Sequence, residues 1–390
     1  MDLSERRLRV VCVIAGMDSG GAERVMAQLC NGLAERNHDT TLVTFAPASE
    51  TPFHQLSEAV RLTQLGMPRG RHLLYRLLRL GDFLIKFRSA MRTLKPDVVI
   101  SFIDLTNMFV VLTTAGLGVP VIVTERVDPG PYAHRLPWLA RPLRRMTYPR
   151  AARIVVQTAR AAEFFRDHPA SKLVTIPNPV PPAAATARSD LPSADGWFRI
   201  IAIGRLDHQK GFDLLIESFA NLAARFPQWH VAIFGEGPDR ASLSAQIESH
   251  GLGDCIKLMG VTKDIGGELA RSQVMAFPSR YEGFPNALTE AMAAGLPAVA
   301  FENVSGVEDL IVPGENGLIA RWGTTPAAAV QSFTESLSQL MMSAPLRVQL
   351  GTAAKRRVEA FRPELVLAQW NDLIAAVVRE QGDAMARGKS

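Results

Sequence analysis

Short continuous apolar runs alternate with segments of helical periodicity along nearly the whole chain. Because apolar runs of this length are typical of strands buried on both faces, they predict parallel sheets covered by helices, an α/β fold. In the first half these runs are LRVVCVIA, DTTLVTF, DVVISF, VPVIVTE and RIVVQT. In the second half they are FRIIAIGRL, WHVAIFGEG, CIKLMG, VMAFPS, PAVAFE and GLIA.

The alternation stops once, between residues 176 and 197, where IPNPVPPAAATARSDLPSADGW is rich in proline and alanine and has no periodicity. This break predicts two doubly wound domains joined by a linker. We expect an N-terminal domain over 1–178, a linker over 179–197, a C-terminal domain over 198–360, and a final helix with a tail over 361–390. From the pattern alone, that helix could pack on either domain.

The length and composition agree with this division. A chain of 390 residues exceeds what one ordinary core covers, and 47% hydrophobic with 7% aromatic residues is typical of a soluble globular enzyme. The three cysteines lie far apart without metal-binding spacing, which favours a reducing compartment and predicts no metal site and no cofactor. The apolar run in RLRVVCVIAGM is short and leads into DSGG, so we expect no signal peptide and a cytoplasmic protein.

The apolar stretch from Val98 to Thr124 is long enough to be considered as a membrane span. It is interrupted by polar residues, glycines and a proline, namely Asp104, Asn107, Gly116, Gly118 and Pro120. Since a span needs about 20 continuous apolar residues, the stretch is predicted to be a strand–helix–strand unit inside a core.

The charge is unevenly distributed along the sequence. Residues 1–180 contain 24 Lys/Arg and 15 Asp/Glu, a balance of +9, whereas residues 181–390 contain 19 and 23, a balance of −4. The first half is therefore suited to an anionic partner, and nucleic acid, anionic lipid and phosphorylated substrates all fit this charge.

Parallel doubly wound sheets bind ligands at the carboxyl ends of their strands, so candidate chemistry is sought there. Gly20 and Gly21 follow the first strand and open a helix, which suits backbone binding of an anion but also a plain tight turn. Arg205 and Lys210 follow a strand and precede the helix GFDLLIESF. Two cations at a helix N-terminus are unfavourable unless an anion lies between them, so a diphosphate is predicted there, with solvated surface charge as the alternative.

Further candidates follow other strands of the second half. Gly237 lies in a glycine loop, and Met259 with Gly260 could flank a nucleotide base. Glu282 lies in a loop, whereas Glu290 is predicted in the first turn of a helix that begins near Asn286, where the helix dipole alone would explain a carboxylate. Two carboxylates reaching one crevice from different elements suit hydroxyl-rich groups, a ribose and a sugar ring.

Together these motifs resemble family 4 of the retaining glycosyltransferases, which has the GT-B fold of two Rossmann-like domains and an E-x7-E pair. The resemblance covers essentially the whole chain and implies that the final helix crosses back to the first domain. Its motifs here are Gly20–Gly21, Gly204–Arg205 with Lys210–Gly211, and the segment from Glu282 to Glu290.

The resemblance also implies roles. Arg205 and Lys210 would hold the donor diphosphate and stabilise it as a leaving group without a metal, and the Gly20–Gly21 loop would close on it. Glu290 would bind the nucleotide ribose, and Glu282 the hydroxyls of the donor sugar. The remaining donor-binding residues would be Gly204, Gly237, Met259, Gly260, Gly283, Phe284, Pro285 and Asn286.

Three segments of the first half, ISFIDLTN, VTERVDP and RPLRRMTYPRAARIVVQT, are similar to a narrower group. This group acts on lipid-linked oligosaccharides and exopolysaccharides, and it includes the processive N-acetylgalactosaminyl transferase of bacterial N-glycan assembly. The group commonly has Glu-His where this chain has Glu125–Arg126, so Arg126 is expected to contact an anion.

The segment from Arg69 to Lys95 has eight basic residues and one acid. Its apolar residues form two stripes at helical spacing, one of them (Leu73, Leu77, Leu80, Leu84, Phe87, Met91) predicted to lie in the core. A core-packed helix with a solvated basic face is the simpler interpretation, and a helix on an anionic membrane surface the more specific one. By resemblance, Arg76, Arg79 and Lys86 would reach the diphosphate of a lipid-linked acceptor.

The sequence therefore predicts a retaining glycosyltransferase at the cytoplasmic face of the membrane. It would transfer a sugar from a nucleotide-sugar donor to a polyprenyl-diphosphate-linked oligosaccharide, with a UDP-sugar as donor and GDP-mannose as the alternative. A GT-B sugar-nucleotide epimerase would leave the basic helix unexplained. Nucleic-acid binding is disfavoured because leucines, not stacking aromatics, alternate with the basic residues.

Overall fold

The computed structural model describes residues 6–18, 20–67, 73–126 and 140–387, with residues 73–80 described as backbone only. The chain forms two compact units. The first unit contains Met1–Pro179 together with Glu364–Ser390, and the second contains Val180–Pro363. The Pro- and Ala-rich segment that follows Val180 thus belongs to the second unit.

The first unit is built on a parallel sheet of seven strands within the described ranges, in the order β3-β2-β1-β4-β5-β6-β7. The strands are β1 (Arg9–Ile14), β2 (Asp39–Thr44), β3 (Arg61–Gln64), β4 (Val98–Phe102), β5 (Val121–Thr124), β6 (Arg153–Val156) and β7 (Leu173–Thr175). The five apolar runs of the first half all form strands, which confirms the predicted α/β fold for this half. The edge strands β3 and β7 were not predicted, because they are short and only partly buried.

Helices cover both faces of this sheet. They are α1 (Gly21–Glu35), α2 (Leu73–Leu94), α3 (Asp104–Thr114), α4 (Ala140–Thr147), α5 (Ala159–Phe164) and, from the end of the chain, α13 (Pro363–Arg387). The stretch considered as a membrane span is β4–α3–β5, as the sequence predicts. No helix in the described part of the chain is long and apolar enough to cross a membrane.

Helix α13 returns to the first unit and completes one of its two core layers. Val366, Trp370 and Ile374 are buried in the same cluster as β1 and the inner face of α1. A polar contact also holds the helix, since His38 Nε2 lies 2.8 Å from Asn371 Oδ1. The return of the final helix, implied by the resemblance, is therefore observed.

The second unit has a parallel sheet of six strands in its described residues, in the order β10-β9-β8-β11-β12-β13. They are β8 (Phe198–Ile203), β9 (Trp229–Phe234), β10 (Ile256–Gly260), β11 (Val274–Phe277), β12 (Ala298–Phe301) and β13 (Leu318–Ala320). The helices are α6 (Phe212–Ala220), α7 (Arg240–Ser249), α8 (Ile265–Ala270), α9 (Asn286–Ala293), α10 (Val307–Leu310), α11 (Pro326–Met342) and α12 (Ala344–Val358). All six runs of the second half form strands.

Candidate functional site

The candidate donor site lies at the carboxyl ends of neighbouring strands of the second unit. Arg205 and Lys210 follow β8, and Glu282 follows β11, which pairs directly with β8. A three-residue 3₁₀ helix, His208–Lys210, precedes α6 and is capped by the Asp207 side chain. The chain thus turns sharply after β8 and brings Lys210 back toward the sheet edge.

Lys210 and Glu282 form an ion pair. Lys210 Nζ lies 2.6 Å from Glu282 Oε1, and the two side chains are 19% and 7% exposed. Glu282 is thus a buried carboxylate on a loop, held by a cation from the adjacent strand. Because an ammonium group has three N–H donors, Lys210 can hold Glu282 and still donate to a phosphate oxygen.

Arg205 is also paired within the chain. Its Nε and Nη2 lie 2.7 and 2.6 Å from Asp207 Oδ2, while the Arg205 side chain remains 65% exposed. Asp207 and Glu282 already balance these two cations, so their charges alone do not require an external anion, and the diphosphate between them stays a prediction. What remains is an exposed guanidinium and a partly buried ammonium at one strand end.

The loops that carry Lys210 and Glu282 are tied to each other. Gln209 Nε2 donates to the Tyr281 carbonyl at 3.0 Å, and the Arg280 N–H donates to the Gln209 carbonyl at 2.8 Å. Arg280 also forms a two-point ion pair with Asp213 and donates to the His208 carbonyl at 2.8 Å. The relative positions of Lys210 and Glu282 are therefore set by several bonds besides their own.

Two glycines allow this close approach of loops. Gly211 has φ +67°, and a Cβ there would overlap the Pro278 carbonyl oxygen, so a side chain would push the two loops apart. Gly235 has φ +143° and lies against the Gly204 carbonyl in the same way. Both positions combine positive φ with backbone contact, which only glycine accommodates without strain.

The other predicted donor-binding residues line the neighbouring strand ends. Gly204 directly follows β8, and a Cβ at Gly237 would overlap the Leu206 carbonyl. Met259, 49% exposed, and Gly260 end β10, and the Gly235 N–H donates to the Gly260 carbonyl at 2.8 Å. The loops after β8, β9 and β10 therefore form one continuous edge.

The segment around α9 agrees with the prediction except at Glu290. The helix begins at Asn286 after Gly283, and Phe284 and Pro285 are buried. The first turn of this helix contains no acidic residue, because Glu290 is its fifth residue. The expectation that Glu290 lies in the first turn is wrong, so the helix dipole does not account for this carboxylate.

In the first unit, Gly20 caps α1 in an extended conformation, with φ −73°, and Gly21 is the first helical residue. A Cβ at Gly20 would meet only the carboxylate end of the Glu23 side chain. The His54 ring nitrogen Nε2 lies 3.2 Å from the Gly20 carbonyl. Burial raises the pKa of Glu23, which occupies the first turn of α1.

Glu125 is the centre of a buried polar cluster at the carboxyl end of β5. The Tyr148 hydroxyl donates to Glu125 Oε1, and Asn107 Nδ2 donates to the Tyr148 oxygen at 3.0 Å and to the Thr124 carbonyl at 2.8 Å. Burial, followed by repulsion from Asp104, raises the pKa of Glu125 to about 7. This carboxyl therefore titrates near neutral pH.

Arg126 is clamped beside this cluster. Its guanidinium carbon lies 3.7 Å from the centre of the Phe102 ring, Nε donates to Thr124 Oγ1 at 3.2 Å, and Nη1 donates to Asn178 Oδ1 at 2.8 Å. Among the described residues, the buried Nη2 has no partner. Burial lowers the pKa of Arg126 to about 9, so the side chain is still cationic at pH 7.

The turn before α3 is strained. Ile103, a β-branched residue, has φ +74°, a conformation that costs on the order of 1–3 kcal/mol. Its N–H donates to the Thr124 carbonyl at 3.1 Å, and Asp104 begins the helix directly behind it. Burial raises the pKa of Asp104, against the attraction of Arg144.

The basic helix is described only in part. It spans Leu73–Leu94, but the side chains of Arg76 and Arg79 lie outside the described residues. Lys86 is exposed and its Nζ donates to the Leu65 carbonyl at 2.5 Å. In the described half of the helix Phe83, rather than the predicted Leu84, joins Phe87 and Met91 in the core, and Ile85 is 71% exposed.

Sequence reasoning singled out Glu125 and Arg126 but missed the residues that hold them. Asn107 and Tyr148 lie in the first and third of the similar segments, and Asn178 lies in IPNPV, where the Pro- and Ala-rich segment begins. The position of such polar residues close to buried strands was the feature of the sequence that could have identified them. The cluster shows that segments distant in sequence meet at one sheet edge.

Two doubly wound units, each with polar and glycine-rich loops at its strand ends, are typical of the GT-B fold. Two family models match the chain, a glycosyl transferase 4-like domain over residues 20–179 and glycosyl transferases group 1 over 185–357. The chain therefore contains a glycosyl transferase 4-like domain followed by a glycosyl transferases group 1 domain.

Several curated proteins are similar over most of this chain. An exopolysaccharide phosphotransferase of Streptomyces coelicolor is 28% identical over 94% of this chain, which spans only 40% of that protein. An α-1,4-N-acetyl-D-galactosaminyltransferase of Campylobacter jejuni, whose name gives a GalNAc-containing diNAcBac-PP-undecaprenol, is 26% identical over 95% of this chain and 99% of its own. The amylovoran biosynthesis glycosyltransferase AmsD of Erwinia amylovora is 27% identical over 94% and 99%.

Solved structures agree on the fold. Anabaena HepE in complex with UDP has a TM-score of 0.75 and 16% sequence identity, covering 94% of this chain and 99% of that one. At this identity the likeness concerns the fold alone, and the predicted GT-B architecture is confirmed.

Proposed function

We propose that this protein is a retaining glycosyltransferase that moves a sugar from a UDP-sugar to a polyprenyl-diphosphate-linked oligosaccharide. The reaction would serve bacterial surface polysaccharide or glycan assembly, with the protein bound peripherally to the cytoplasmic face of the membrane. The observation that carries the proposal is the Lys210–Glu282 ion pair, with Arg205 beside it, at adjacent strand ends.

This site combines the two kinds of group that sugar transfer needs, cations for the diphosphate and a carboxylate for the sugar. The ammonium of Lys210 and the exposed guanidinium of Arg205 suit the donor diphosphate, and the carboxylate of Glu282 suits the hydroxyls of the donor sugar. Because negative charge develops on the departing diphosphate, the two cations stabilise the transition state more than the ground state. No metal is required for this role.

In the proposed step the bond between the anomeric carbon and the diphosphate oxygen breaks. An acceptor hydroxyl forms its new bond to the anomeric carbon on the same face of the ring. The hydroxyl proton passes to an oxygen of the leaving phosphate, and the nucleoside diphosphate is released. The configuration is thereby retained without a protein nucleophile, and none is assigned.

The other predicted donor-binding residues would contact different parts of the donor. Gly204, Gly237 and Gly260, on the loops after β8, β9 and β10, would lie against the nucleotide, and Glu290 would accept from the ribose hydroxyls. UDP is proposed as the nucleotide because the related fold of Anabaena HepE is solved with UDP. The loop at Gly20 and Gly21 would contribute backbone N–H groups to the diphosphate.

The first unit would hold the acceptor. Arg76, Arg79 and Lys86 of α2 would bind the lipid-linked diphosphate and the anionic surface, with the exposed Ile85 reaching the lipid. Arg126, cationic and clamped by Phe102 and Asn178, would contact an anionic group of a substrate. The Campylobacter relative, named for an undecaprenol-linked acceptor, supports a lipid-linked acceptor here.

Calorimetric titration with UDP, GDP and their sugar forms in EDTA tests the donor site. Micromolar binding of UDP, unchanged by EDTA, is expected, and tighter binding of GDP would assign the donor to the GDP-mannose class instead. If neither nucleotide binds, the Arg205–Lys210 site holds something else and the proposal fails.

A further inference from the structure

A cavity of about 120 Å³ opens in the first unit at the carboxyl ends of β1, β2 and β3. It lies away from the Glu125 cluster, which is at the end of β5, because β4 stands between β1 and β5 in the sheet. The residues that line it are Met17, Asp18, Thr44, Ala46, Glu50, Thr51, Pro52 and Gln64. None of the roles proposed above uses these residues.

Thr44 carries the strongest signal in this cavity. It is the last residue of β2 and only 2% exposed, and its Oγ1 has no hydrogen-bond partner within the described ranges. A buried hydroxyl without a partner costs on the order of 1–3 kcal/mol, so it calls for a ligand or ordered water. Because Thr44 lines the cavity, that partner is placed in the cavity.

The cavity walls are held by their own bonds. The Phe53 N–H donates to the Met17 carbonyl at 2.9 Å, and Gln64 Nε2 donates to the Glu50 carbonyl at 2.7 Å. The loop after β2 is therefore fastened to the loop after β1 and to the end of β3. A pre-formed concave site of this kind is typical of ligand binding, since little ordering remains to be done when the ligand arrives.

The chemistry of the lining selects the kind of ligand. Asp18 and Glu50 contribute carboxyl groups, and the described residues that line the cavity include no Lys, Arg or His. The carboxylate of Asp18 repels phosphates and uronates, whereas hydroxyl groups can donate to it. Met17, Ala46 and Pro52 add apolar surface for C–H groups, and the space is several times what one water needs.

We propose that this cavity binds one neutral, hydroxyl-rich sugar ring of the acceptor glycan. The inference rests on the proposed function, because it assigns part of the acceptor to a site in the first unit. This adds a specificity that the basic residues of α2 cannot supply. The basic helix would bind the charged diphosphate of the acceptor, and the cavity, which carries carboxyl groups, would bind its neutral sugar.

The test is saturation-transfer NMR with the full chain and three probes: methyl α-N-acetylgalactosaminide, methyl α-galactoside and methyl α-glucuronide. The two neutral glycosides should give signals, and the glucuronide should give none. The variant Thr44→Val, which keeps the shape of the side chain, should weaken binding about three- to tenfold through loss of one hydrogen bond. Asp18→Asn should relieve the exclusion of the glucuronide.

The matched control is Thr40→Val, on the same strand and the same face as Thr44 and equally buried, but outside the cavity. It should bind both neutral glycosides as the unaltered chain does. UDP binding is measured in parallel. Intact UDP binding with no glycoside signal, or with equal loss in both valine variants, overturns the cavity assignment alone. Loss of UDP binding in the unaltered chain instead overturns the proposed function.

Discussion

Arg280 and Asp213 form a two-point ion pair, with Nη1 2.8 Å from Oδ1 and Nη2 2.6 Å from Oδ2. Arg280 lies in the loop that carries Glu282, and Asp213 is the second residue of α6, the helix that begins directly after Gly211. Burial would raise the pKa of Asp213, but its hydrogen bonds and charge contact with Arg280 outweigh burial and lower it. The pair therefore fixes the loops that carry Lys210 and Glu282 relative to each other.

Replacing Arg280 with Lys should lower turnover about tenfold, because a lysine cannot reproduce the two-point contact and the Lys210–Glu282 geometry would relax. Loss of about 1 kcal/mol of stability would shift the unfolding midpoint by only about 2–4 °C. The measurement is kcat and KM for the donor, with a melting curve. Arg199→Lys, which alters a comparable pair with Glu268 at the start of β8, should leave kcat unchanged. Equal effects in both variants would contradict a positioning role.

Replacing Glu282 with Gln should reduce transfer by about a hundredfold or more, because the carboxylate proposed to bind the sugar hydroxyls is lost. UDP binding should be retained or tightened, since the Lys210 ammonium no longer shares its charge with a carboxylate. Release of UDP from the donor and calorimetry with UDP measure the two effects separately. Glu217→Gln, at an exposed carboxylate beside His250, is the control. Normal turnover in the Glu282 variant would rule out the assigned role.

The buried Glu125 should make stability depend on pH. Its pKa is raised to about 7, from about 4.5 in the unfolded chain, so between these values the folded state binds more protons than the unfolded state. Stability should therefore fall by up to about 3 kcal/mol as pH rises from about 4.5 to about 7, and Glu125 should add no further change above that.

Urea unfolding at pH 5, 6, 7 and 8 checks this dependence. In Glu125→Gln the fall should be smaller, because the neutral amide does not titrate, so the variant should gain relative to the unaltered chain at pH 8. Identical pH slopes in both proteins would show that Glu125 ionises at its ordinary pKa.

Docking to anionic lipid should depend on α2. Removing two basic side chains with Arg76→Ala and Arg79→Ala should weaken binding to phosphatidylserine-containing vesicles about thirtyfold, at about 1 kcal/mol per charge. Vesicle co-sedimentation at low and high salt measures this. The control is the pair Lys257→Ala and Lys263→Ala, exposed lysines of the second unit. If the control pair weakens binding equally, α2 is not the docking element.

Most of the fold was predictable because a strand that is buried on both faces has a continuous apolar sequence. The two strands that were missed, β3 and β7, pair on one side only, so RLTQ and LVT need no continuous apolar character. Helix α13 was predicted as a helix, but no residue in it indicates which unit its apolar face covers.

The candidate site was predictable in its residue types and not in its pairings. Arg205 and Lys210 were identified at a strand end, but their partners Asp207 and Glu282 depend on how two loops fold back. The helix start at Asn286 was predicted correctly, but Glu290 is the fifth residue of that helix and therefore lies just beyond its first turn. Such details are set by tertiary contacts, which spacing along the sequence does not reveal.

The return of α13 to the first unit has a consequence for synthesis. Trp370 and its neighbours complete a core layer begun by β1, so the first half of the chain leaves the ribosome with part of its apolar interior uncovered. The second unit is complete once Pro363 has been synthesised, before the residues of α13 that the first unit still needs. Folding during translation would therefore finish in the reverse of the usual N-terminal-first order, and a nascent chain stalled before residue 363 should expose that uncovered layer to chaperones.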